Sequence, residues 1–78
     1  MILIYTRDYC PYCQKAKALL DRKGASYTEI DLEKHPEKQS EMITKTGRTS
    51  VPQIFIDGKH IGGCDDLHAL DAAGKLHV

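Results

Sequence analysis

Met1-Ile2-Leu3-Ile4-Tyr5-Thr6-Arg7-Asp8-Tyr9-Cys10-Pro11-Tyr12-Cys13 begins as an apolar, strand-like run and ends in a pair of cysteines. A helical pattern follows at once, so the dithiol sits where a strand hands over to a helix. With Cys10 at the cap and Cys13 one turn in, the two sulfurs face the same way and can close a small ring. Pro11 suits the first helical position, because its fixed φ fits the helix and its missing N–H would have had no partner there. The free N–H groups and the positive end of the helix dipole then point at Cys10, an arrangement that favours thiolate over thiol.

The same Cys-x-x-Cys spacing forms half of a four-ligand zinc site, which needs two more ligands. Neither Cys64 nor His35, His60, His68 or His77 falls into a second pair at that spacing, so no metal is expected. A structural disulfide across so short a loop constrains little of the unfolded chain. Reversible redox chemistry is the reading that remains.

The chain has 78 residues, room for one sheet and a few helices, and residues 1–78 are expected to form a single domain. Eleven basic residues balance eleven acidic ones, so bulk charge points to neither nucleic acid nor an anionic membrane. The sequence lacks the pattern of a signal peptide, no apolar run approaches membrane-spanning length, and the cysteine number is odd. A reducing, cytoplasmic setting and a monomer without a membrane partner are the expectation.

Outward from the dithiol, strand and helix patterns alternate. A helix over about 11–23 places Ala16, Leu19 and Leu20 on one face and ends at Gly24; its lysines and arginines read as a solvated face. Ser26 to Asp31 is a second strand, parallel to the first because a helix separates them. Pro36 opens a second helix over about 36–46, apolar only at Met42 and Ile43 and ending at Gly47. Gln53–Ile56 and Lys59–Gly62 flank Asp57-Gly58, a two-residue turn that predicts a β-hairpin. Asp65 or Asp66 is the expected cap of a last helix bearing Leu67, Leu70 and Ala73.

That order, β-α-β-α-β-β-α with Cys-x-x-Cys after the first strand, points to an α/β thioredoxin fold: a four-stranded mixed sheet flanked by three helices. Cys10-Pro11-Tyr12-Cys13, Thr49-Ser50-Val51-Pro52 and Gly62-Gly63-Cys64-Asp65-Asp66 resemble the three signature segments of dithiol glutaredoxins, bacterial ones above all. The similarity spans essentially the whole chain.

The resemblance implies a glutathione-dependent thiol–disulfide oxidoreductase with Cys10 as nucleophile and Cys13 as resolving thiol. Glutathione would be a co-substrate, with no tightly bound cofactor. Implied partners are glutathionylated or disulfide-containing proteins, and glutathione reductase acting through glutathione disulfide. The resemblance also implies a cis Val51–Pro52 bond, with Val51 pairing to the extended tripeptide as an added strand. Ser50 belongs to the same segment. Gly63, Cys64 and Asp65 combine a helix N-terminus, suited to a carboxylate, with a negative charge for an ammonium, matching a γ-glutamyl head. Arg7 stands where the family usually carries a lysine near the thiolate, Tyr12 offers an aromatic wall, and Gln39 and Arg48 are further candidates for the glycine end. Two alternatives stay open: a glutathione-ligated iron–sulfur cluster module, and a redoxin served by thioredoxin reductase.

Overall fold

The computed structural model describes residues 1–77. The elements are β1 (Ile2–Thr6), α1 (Pro11–Arg22), β2 (Tyr27–Asp31), a 3₁₀ turn (Pro36–Lys38), α2 (Gln39–Thr46), β3 (Gln53–Ile56), β4 (Lys59–Gly62) and α3 (Cys64–Ala72). The four strands lie in the order β2-β1-β3-β4. β1 runs parallel to β2 and antiparallel to β3, and β3 runs antiparallel to β4. The expected mixed sheet with three helices is therefore present, with β1 in its interior.

Alternation along β1 builds two cores from one strand. Ile2 and Ile4 face α1 and α3, packing with Ala16, Leu19, Leu20, Ile54 and Leu67. Tyr5 turns to the other face and meets Leu32, Met42 and Phe55 beneath α2. Leu20 is fully buried, and truncating such a leucine to alanine costs about 2–5 kcal/mol.

The turns follow their sequence signals. Asp57 and Gly58 have φ of 51° and 81°, the paired positive values that a tight hairpin needs. Gly47, at φ 69°, ends α2, and its N–H donates to the Ile43 carbonyl at 2.7 Å. Pro36 opens only a single 3₁₀ turn, and the α-helical hydrogen bonds begin at Gln39.

The expected cap of α3 is corrected. Gly63 is the N-cap, and Asp65 and Asp66 lie inside the first turn. Gly62, at φ 123°, swings the chain out of β4 so sharply that the helix starts at Cys64. Asp66 then reaches back, its Oδ2 accepting the Gly63 N–H at 2.9 Å. No described helix is long and apolar enough to cross a membrane.

Candidate functional site

β1 delivers the chain to Tyr9, a non-glycine residue at φ 58°, and then to Cys10, the N-cap of α1. Cys10 is extended at φ −102° and ψ 105°, which aims its sulfur along the helix start. There Sγ accepts the Cys13 N–H at 3.2 Å, taking up one of the donors that every helix N-terminus leaves free. The half-buried sulfur of Cys10 also lies 3.9 Å from the Val51 carbonyl oxygen.

Cys13 is fully buried on α1. Burial, reinforced by a side-chain hydrogen bond with Cys10, pushes its thiol up to about 12; a backbone hydrogen bond from Arg7 and the charge of Lys17 pull the other way. The two cysteines are unpaired and unlike, one reachable from solvent and one kept as a buried thiol.

A second segment closes on the first. The Val51–Pro52 peptide bond is cis, as the resemblance implied. Gln53, a buried polar residue at the start of β3, holds the preceding loop: its Nε2 donates to the Ser50 carbonyl at 3.0 Å and to Ser50 Oγ at 3.3 Å. On the other side Gln53 Oε1 pairs with His60 Nε2 of β4 at 2.8 Å. Thr46 fastens the loop at its other end, accepting the Arg48 N–H at 3.0 Å while donating to the Met42 carbonyl at 2.8 Å.

The third segment approaches through glycine. A β-carbon on Gly63 would stand 3.4 Å from the Pro52 carbonyl oxygen, so the turn before α3 lies directly against the cis-proline loop. Tyr12, Val51, Pro52, Cys64 and Asp65 together line a cleft of about 130 Å³. Tyr12 is exposed, and the Lys15 ammonium sits 5.4 Å from its ring centroid. Cys64 is buried, its thiol pushed up by burial and by the charge of Asp65. Its sulfur lies 3.4 Å from His68 Nδ1, which also reaches the Cys64 carbonyl at 2.9 Å.

Other expected residues stand apart from this cleft. The Arg7 guanidinium pairs with Glu33 at 3.5 Å. Ser50 serves as partner to Gln53, and Arg48 lies 4.0 Å from Asp66. A roomier recess of about 390 Å³, lined by Met1, Leu3, Lys45, Phe55, Gly58 and His60, is remote from the dithiol, so volume alone does not locate the chemistry.

Two features carried no signal in the sequence. Gln53 opens an otherwise apolar strand and has the look of a strand-end polar residue. Lys17 was expected on a solvated face, yet its side chain is only 20 % exposed and its ammonium lies 3.0 Å from Glu29.

A family model described as Glutaredoxin matches residues 2–61. The chain belongs to the glutaredoxin family. It is 60 % identical to Glutaredoxin 3 of Escherichia coli K12 over 73 residues, covering 94 % of this chain and 88 % of that protein. A glutaredoxin of Pseudomonas aeruginosa is 55 % identical over 75 residues, covering 96 % and 89 %. Among solved structures, glutaredoxin from Brucella melitensis superposes with a TM-score of 0.82 at 57 % identity, over 96 % of this chain and 82 % of that one. A buckwheat glutaredoxin–glutathione complex superposes with a TM-score of 0.89 at 38 % identity, over 96 % and 71 %. These glutaredoxins share the thioredoxin fold, and the Cys10–Cys13 dithiol gives this member the sulfur pair of a thiol-redox enzyme.

Proposed function

We propose that this glutaredoxin, residues 1–78 acting as one domain, reduces protein–glutathione mixed disulfides and protein disulfides with glutathione as electron donor. The observation that carries the reading is the unequal dithiol: a reachable Cys10 sulfur on a helix N-terminus, beside a buried Cys13 thiol. The Cys10 thiolate attacks the glutathione sulfur of a mixed disulfide. A Cys10–glutathione bond forms, the old sulfur–sulfur bond breaks, and the released protein thiolate takes up a proton. A second glutathione thiolate then attacks the glutathione sulfur held on Cys10, releasing glutathione disulfide for glutathione reductase. With a protein disulfide, Cys13 closes on Cys10, and two glutathiones later reopen the bridge.

The cleft suits the tripeptide. Val51 offers its backbone as a strand partner beside the Cys10 sulfur, with Pro52 next to it in the same wall. With the Gly63 N–H taken by Asp66, the first-turn N–H groups of Cys64 and Asp65 receive the γ-glutamyl carboxylate, and the Asp65 side chain receives its ammonium. Tyr12 forms the opposite wall, and Ser50 positions the loop through Gln53. Arg7 has to exchange Glu33 for the glycine carboxylate to take part, a bidentate contact that a lysine cannot make. The proposed setting is the cytoplasm, with the enzyme as a monomer.

The test is NADPH oxidation coupled through glutathione reductase with a small glutathione mixed disulfide. Wild type and Cys13→Ser turn over, and Cys10→Ser falls by at least about a hundredfold, as expected when a nucleophile is removed. Turnover retained by Cys10→Ser removes Cys10 from its role. An inactive wild type turns attention to an iron–sulfur module or a redoxin served by thioredoxin reductase.

A further inference from the structure

The burial that keeps Cys13 inert also creates a difficulty for the dithiol route, since a resolving thiol must lose its proton before it can attack. The residue placed to meet that need is Lys17. On α1 it follows Cys13 by four positions, so the two side chains share one face, with β-carbons about 5–6 Å apart. Its ammonium is not left to wander in solvent. Glu29 of β2 holds it at 3.0 Å through Oε2, and the same oxygen accepts the hydroxyl of Thr6 at 2.6 Å. Thr6 is itself buried at the end of β1. Three elements thus hold one positive charge on a residue one helical turn beyond Cys13 along α1.

An ordinary surface ion pair explains this arrangement only in part. Exposed pairs contribute little and leave long side chains free, whereas Lys17 is mostly covered and its carboxylate partner is pinned from a second strand. Burial pushes the Glu29 carboxyl up, and the bonds from Thr6 and Lys17 more than reverse this, so it stays ionised at neutral pH and keeps Lys17 charged. The groups acting on the Cys13 sulfur are Cys10 at the cap, the backbone of Arg7, and Lys17 with Glu29 paired to it.

We propose that Lys17, anchored by Glu29 and Thr6, is a positioning residue for the resolving step, lending its charge to the thiolate that Cys13 becomes as the Cys10–Cys13 disulfide closes. The inference rests on the dithiol route proposed above. In that step Cys13 gives its proton to water and its thiolate attacks Cys10 Sγ of the Cys10–substrate disulfide. The Cys10–Cys13 bond forms and the Cys10–substrate bond breaks. The departing sulfur takes the electron pair and then a proton. The monothiol reaction does not use Cys13 and so does not call on Lys17.

The experiment is a single turnover from the preformed Cys10–glutathione mixed disulfide, following release of glutathione thiol as Cys13 closes, across a pH range of about 6 to 10. That range lies below the raised Cys13 thiol, so closure climbs about tenfold per unit and a shift reads as a parallel displacement of the profile. Lys17→Met keeps the stem and removes the charge, and Lys17→Gln is a second neutral variant should the first fail to fold. Closure slows about tenfold at neutral pH and its pH profile moves upward by about one unit, a tenfold change per unit of thiol ionisation. Lys17→Arg restores closure because it restores the charge. In a Cys13→Ser background, the coupled monothiol assay gives the same rate whether Lys17 is kept or replaced by Lys17→Met. Closure with an unchanged pH profile in the neutral variants overturns the proposal, as does an equal loss in the monothiol assay. A wild type without monothiol turnover overturns the parent reading instead, so the two failures are distinct.

Discussion

α1 and α3 each begin with a cysteine near the N-terminus, on the same face of the sheet, yet they treat the sulfur in opposite ways. In α1 the cysteine is the cap itself, half-buried, with its sulfur accepting a helix N–H. In α3 the cap is Gly63 and the cysteine falls one place later, where it is buried and followed directly by Asp65. A shift of one position along the helix moves the sulfur from the axis of free donors to its flank. A following carboxylate in place of a proline then opposes ionisation. Proximity to a helix N-terminus is thus insufficient to favour a thiolate: at Cys64 burial first, and the Asp65 charge after it, push the thiol up.

The broadest way to break this contrast is to label the cysteines. Limiting iodoacetamide at neutral pH is expected to modify Cys10 at least about a hundredfold faster than Cys64, since reactivity follows accessibility and thiolate character. Peptide mass spectrometry on the intact reduced protein reads the ratio, and comparable rates at the two sites erase the distinction. A smaller effect addresses the α3 turn. Gly62→Ala puts a side chain at φ 123° and drives its β-carbon into the Asp66 carboxylate. A loss of about 1–3 kcal/mol follows in urea unfolding, and an unchanged midpoint shows that the turn tolerates a side chain. The finest change is Asp65→Asn, which removes a charge that raises the Cys64 thiol. The Cys64 pKa then falls and its alkylation begins at lower pH, while Cys10 labelling is unaffected; an unmoved Cys64 profile shows that Asp65 contributes nothing and leaves burial as the main cause.

Legibility of the site followed the range of the interactions. Cys10 and Pro11 announce their helix position through local backbone chemistry, and Asp57-Gly58 announces its hairpin in the same way. The three site segments were legible through family resemblance, and the fold brings Tyr12, Val51, Pro52, Cys64 and Asp65 to one cleft. The start of α3 was misplaced because aspartate is a favoured cap, and only the sharp turn at Gly62 shows that glycine took the position. Gln53 and Lys17 were silent because their partners, Ser50 and His60 for one, Glu29 and Thr6 for the other, meet them through the fold. A polar residue satisfied at long range carries no periodic signature.

Ile4 and Tyr5 are chain neighbours that never share a core, one turned toward α1 and α3 and the other toward α2. β1 therefore works as a bulkhead. Repacking around Met42 on the α2 side leaves the contacts of Ala16, Leu19 and Leu20 untouched, and with them the seat of the dithiol helix. An engineer seeking a sturdier redox catalyst has one compartment to rebuild, provided the side that packs on Val51 is kept, and another to leave as it is.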